Sequence, residues 1–170
     1  AREAQKHFER VKLSHPDHLL PYEALAWLQA DQRRYAESLT ELTILLQKLR
    51  GDDPDEPAVF DENARRVVAF AGGIREFALT IPDAARHPSV DVQAKLDEAI
   101  AAFGDEAISV HTSARKAVTD KVATYDSQLA EAKGTNRATL IELERKRIEK
   151  YVTYDAAAAR RAIIARLDED

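Results

Sequence analysis

Apolar side chains recur at steps of three or four residues through Val92, Leu96, Ile100, Phe103, Ala107, Val110, Ala114, Val118, Val122, Tyr125, Leu129 and Ala132. That spacing predicts one helix of about 11 turns with a single continuous greasy stripe. Ser89 suits its N-cap, with Asp91 well placed in the first turn. Gly134 reads as the C-terminal stop, and Thr135 or Asn136 as the next N-cap. A second stripe follows at Ile141, Ile148, Val152, Ala159, Ile163 and Leu167. Two long helices joined by so short a turn are antiparallel neighbours, and the longer arm would reach roughly 60 Å. Recurring Ala positions would let the two backbones come close. Steps of eleven (Ala107, Val118, Leu129) mix with the sevens, so a strict heptad coiled coil is not required.

The first half is built differently. All six Pro lie at positions 16, 21, 54, 57, 82 and 88, and each limits helix length by removing a donor and crowding the preceding turn. The chain therefore divides into residues 1–54, a connecting part over 55–88, and the hairpin over 89–170. Within the middle part, Phe60, Ala64, Val67, Val68, Ala71, Ile74 and Phe77 predict a helix from Ala58 to Leu79, with Glu56 and Pro57 at its start. Gly72-Gly73 inside it costs about 2 kcal/mol of helix propensity against two alanines. A kink or close helix crossing explains such a pair, and a hinge or ligand-approach point is the sharper alternative. Thr80-Ile-Pro-Asp83 predicts a capped single turn running to about Arg86.

A shift of 34 residues superimposes Ala4 on Ser38, Phe8 on Leu42 and Val11 on Leu45. Ala4-x3-Phe8 followed by Pro16 resembles the second helix of a tetratricopeptide repeat. Tyr22-x2-Leu25-Ala26 and then Tyr35-x2-Ser38-x3-Leu42 resemble one whole repeat, with Pro16-Asp17 as the inter-repeat turn. The likeness covers residues 1 to about 50. Gln29 stands where the family usually has an aromatic, and Arg50 stands where the next Pro is expected. A generic helical hairpin can carry the same small–large spacing. Each repeat is a helix pair that buries its apolar face only by stacking on a neighbour. The resemblance implies a non-catalytic module that binds a peptide or partner helix on the surface lined by first helices. Here that surface would carry Leu20, Glu23, Trp27, Ala30 and Arg34. Glu23 and Trp27 argue against the Lys/Asn carboxylate clamp of the family's chaperone-tail binders. Starting in a second helix suggests either lost upstream repeats or a natural cap.

Composition narrows the chemistry. The 170 residues hold 25 Lys and Arg against 30 Asp and Glu, and this mild acidity argues against a nucleic-acid binder. No run approaches the roughly 20 apolar residues of a membrane span. With no Cys, disulfides, thiolate metal sites and cysteine nucleophiles are all absent, and the compartment stays open, with the cytoplasm favoured. With no Met either, the sequence reads as trimmed, so the lack of a targeting signal carries no weight.

Candidate reactive groups are few. His15-Pro-Asp17-His18 places two imidazoles and a carboxylate together but reads as a turn, not a metal site. His111 reads as an incidental residue of the long helix. Asp52-Asp53-Pro54-Asp55-Glu56 reads as a solvated linker, and Arg145-Lys146-Arg147 and Arg160-Arg161 as paired helix surface. No zinc-protease, nucleophile-elbow or phosphate-loop motif occurs. The expectation is an all-α protein that is not an enzyme, takes no cofactor or metal, does not insert into a membrane, and has a protein or peptide partner. Homodimerisation, a structural stalk within a larger protein and a small-ligand-binding bundle are the alternatives.

Overall fold

A computed structural model describes residues 2–143, and among them every regular element is a helix. In order these are α1 (Arg2–Ser14), α2 (Leu20–Asp31), α3 (Tyr35–Arg50), α4 (Glu62–Thr80), a 3₁₀ turn (Ala84–Arg86), α5 (Val90–Ala101) and α6 (Asp105–Glu131). Residues 136–143 are helical again. The architecture is an all-α helical bundle. Helix α3 is its centre, packed by α2, α4 and α5, while α4 also carries α6 on its far side.

The turn between α2 and α3 is closed by main-chain bonds from Gln32, Arg33 and Arg34 back to Leu28, Ala30 and Gln29, with Arg33 at a φ of 60°. So tight a connection makes the two helices antiparallel. They approach closely at Ser38, whose buried Oγ donates to the Ala26 carbonyl at 2.6 Å. Small residues there let the helix backbones come together, and the hydroxyl satisfies itself on the facing chain. Leu39, Leu42 and Leu46 of α3 are fully buried and meet Val68, Ala71 and Ile74 of α4 and Leu96 and Ile100 of α5 in one core. Each such leucine contributes about 2 kcal/mol through the area it removes from water. At the N-terminal edge α1 has no fully buried residue. Ala4, Phe8 and Val11 are half-buried on its inner face, and Lys12 reaches Glu41 of α3 at 2.7 Å.

Two expected boundaries move. Helix α4 begins at Glu62, not Ala58, because the Asp61 side chain accepts from Ala64 N at 2.9 Å and caps it there. Phe60, outside the helix, instead lays its ring beside Phe103. The stripe from Val92 to Ala132 is not one helix. Gly104, with φ 92° and ψ −172°, ends α5 and starts α6. Ser89 does cap α5, its Oγ accepting from Val92 N, and Asp83 caps the short turn before it. Gly134 adopts a positive φ in the turn after α6, as its reading as a helix stop requires. The return-arm positions Ile148, Val152, Ala159, Ile163 and Leu167 lie outside the described residues, as do the basic clusters at 145–147 and 160–161.

Candidate functional site

Residues Glu23, Trp27 and Ala30 follow one another at steps of four and three, so α2 sets them along one side. The structure gives each a different environment. Glu23 is 8% exposed, and its carboxylate takes both guanidinium nitrogens of Arg66 on α4, Nη2 at 3.0 Å and Nη1 closer. A two-pronged ion pair of this kind fixes orientation as well as charge. Because α2 and α4 both lean on α3, the pair bridges the helices across it. Trp27, one turn further on, is 37% exposed. Ala30 and Leu20 are half-buried. Arg34 lies beyond the end of α2, and its Nε donates to Glu37 of α3 at 3.1 Å. The arrangement thus assembles Leu20, Trp27 and Ala30 as a partly exposed apolar strip, makes Glu23 the structural side of that strip, and ties Arg34 to the next helix.

Arg66 belongs to this site and was not foreseen. Its pairing spans 43 residues of sequence, and one arginine in an amphipathic helix carries no local sign of such a partner.

The second constellation lies where α4 crosses α6. Gly72 holds the helices close: a Cβ on it would meet the His111 main-chain oxygen at 2.8 Å and the Ala114 Cβ at 3.1 Å. Gly72 therefore serves a close crossing, and α4 runs through both glycines without a break. His111 is not incidental. It is 5% exposed, its Cδ2 faces Gly72, and its Nε2 has no hydrogen-bond partner among the described residues. Burial, with help from the charges of Arg75 and Arg115, pushes its pKa down to about 4. The nearby carboxylates are already engaged. Asp97 of α5 binds Arg75, and Glu76 accepts from Arg115 Nε at 2.8 Å and from Thr119 Oγ1 at 3.0 Å. A general acid–base pair needs two groups that can exchange a proton with a bound substrate. Here the imidazole faces a helix backbone and both acids hold arginines.

The loop between α1 and α2 sets the His15 and His18 rings 5.2 Å apart, and Ser14 Oγ lies 2.9 Å from His15 Nδ1. Among the described residues no three His, Asp or Glu side chains gather as a metal site, and no helix is long and apolar enough to cross a membrane. The acidic loop folds onto its own backbone: Asp53 Oδ1 accepts from Asp55 N, and Arg50 donates to the Asp53 and Pro54 carbonyls.

Compared with protein-family models, curated proteins and solved structures, the chain matches none.

Proposed function

We propose that this chain is a non-catalytic protein-interaction module, and that it takes a peptide or a partner helix along the α2 face carrying Trp27. One observation supports this above others: the single Trp of the chain is 37% exposed on a helix whose Tyr22, Leu25 and Leu28 are buried. A large aromatic ring left partly in water, beside half-buried Leu20 and Ala30, offers the apolar anchor on which interfaces concentrate their affinity. The Glu23–Arg66 bridge keeps this face rigid, which lowers the ordering cost of binding. The likeness of residues 1 to about 50 to tetratricopeptide repeats agrees with the same use.

The test pans a random peptide library on the folded chain and measures recovered peptides by Trp27 fluorescence. Peptides that shift the wild-type emission to the blue and lose at least about tenfold in affinity against Trp27→Ala, both affinities read by titration calorimetry, support the reading. Peptides held equally by both proteins, or none recovered, overturn it. Circular dichroism confirms that the variant is folded. Glu23 is a poor probe here, since its replacement breaks the bridge as well as the surface.

A further inference from the structure

We propose that His111 makes the α4–α6 crossing acid-labile, so that adding a proton to its buried ring releases α6 from α4. The geometry leaves the imidazolium nowhere to go. Nε2 has no partner among the described residues, so in the doubly protonated ring its proton would point at no acceptor. A buried charged donor without a partner is among the costliest groups a fold can hold. Gly72 of α4 stands against the ring, the His111 main-chain oxygen and the Ala114 Cβ of α6, which blocks a small shift toward α4.

The surrounding charges make the same point from each helix. On α4 stand Arg75 and Glu76, on α5 Asp97, and on α6 Arg115. Both arginines repel a charged ring. Asp97 and Glu76 would attract it, but each is already bonded to an arginine whose positive charge offsets its own. The inexpensive escape is for α6 to lift, which hydrates the ring and frees the acids. Protonation therefore acts where α6 buries Ala107 and Val118, and not in the α2–α3 pair, which is held by Ser38 and Leu39.

The test is amide hydrogen exchange of the full chain at pH 7 and pH 5, corrected for the intrinsic pH dependence of exchange. In the wild type, opening of α4 and α6 amides at the crossing should rise about twentyfold from pH 7 to pH 5, the ratio set by a ring titrating near 4 when closed and 6.5 when open. Amides of α2 and α3 should change far less. His111→Gln cannot titrate and keeps every carboxylate, so any acid effect left in it comes from groups other than this ring. It should lose most of the rise. His111→Leu serves the same purpose should the glutamine variant not fold. Three results overturn the proposal: no rise in the wild type, an equal rise in the non-titrating variant, or an equal rise throughout α2 and α3.

Discussion

A Cβ placed on Gly72 of α4 would sit 2.8 Å from the main-chain oxygen of His111 on α6, so these two residues set how near the helices come. Main chain cannot rotate out of the way as a flexible side chain can. The close approach accordingly calls for glycine at this helical position despite its poor propensity.

Gly72→Ala should lower the stability of the folded chain. The added methyl gains about 1 kcal/mol in helix propensity but drives α4 off α6, and overpacking of this kind costs up to about 3 kcal/mol. A net loss near 2 kcal/mol is expected, read as a lower urea midpoint at unchanged slope. Pairing it with Ala114→Gly should not restore the loss, because the backbone oxygen remains in place. Full rescue by that pair would show that the side chain, not the main chain, sets the spacing.

Gly104→Ala tests the opposite situation. None of the described residues lies within 4 Å of a Cβ there, so no clash with them arises, yet φ 92° with ψ −172° is a conformation that side chains avoid. The cost is conformational alone, about 2 kcal/mol. Chemical denaturation should show that loss. A neutral result would mean that α5 and α6 merge into one rod at little expense, which a longer helix would reveal as added ellipticity.

Ser38 joins α3 to α2 by size and by its hydroxyl. Ser38→Ala removes the bond to the Ala26 carbonyl and should cost about 1 kcal/mol. Ser38→Val should cost more, because its extra bulk forces apart two helices packed on a fully buried position. Thermal unfolding of the pair gives the order, and a valine variant as stable as the alanine one would refute the close packing.

The pH dependence of stability follows from His111. Its pKa is lowered to about 4 in the folded chain against 6.5 when exposed, so the unfolded chain binds the extra proton first as pH falls. The contribution is whole above pH 6.5, declines between 6.5 and 4, and levels off below. The 2.5-unit gap amounts to about 3 kcal/mol in total, of which about 2 kcal/mol is lost by pH 5. Urea titrations at pH 7 and pH 5 should show that difference in the wild type and a much smaller one in His111→Gln. Equal differences in both would place the acid sensitivity away from His111.

Much of the fold was legible because helix periodicity is a local property. The apolar steps covered the residues of α5 and α6 as one run, the 34-residue offset set α1 against α3, and Ser89 and Asp83 cap where a short acceptor precedes a helical run. Two boundaries were missed for one reason: the stripe stays in phase across a break. Phe103 to Ala107 is a four-residue step whether Gly104 continues a helix or ends one, and Ala58 and Phe60 keep helical spacing although Asp61 starts the helix behind them.

Chemistry was less legible than architecture. Trp27 and Ala30 could be set on one side of α2 from their spacing alone, since that needs only the turn of one helix. Whether Glu23 met water or a cation could not, because Arg66 arrives from 43 residues away. His111 shows the same limit more sharply: its sequence neighbours are those of an ordinary surface helix.

By itself the sequence determined that this chain coils, where most of its rods begin and stop, and which stripe of each turns inward, since these depend on residues within a few turns of one another. Tertiary structure alone decided that α5 and α6 part at Gly104 to serve different partners, that Glu23 is bound by Arg66, and that His111 is shut against Gly72. Burial and electrostatic pairing depend on what arrives from the other side of the space, and spacing along one strand of chain holds no record of that.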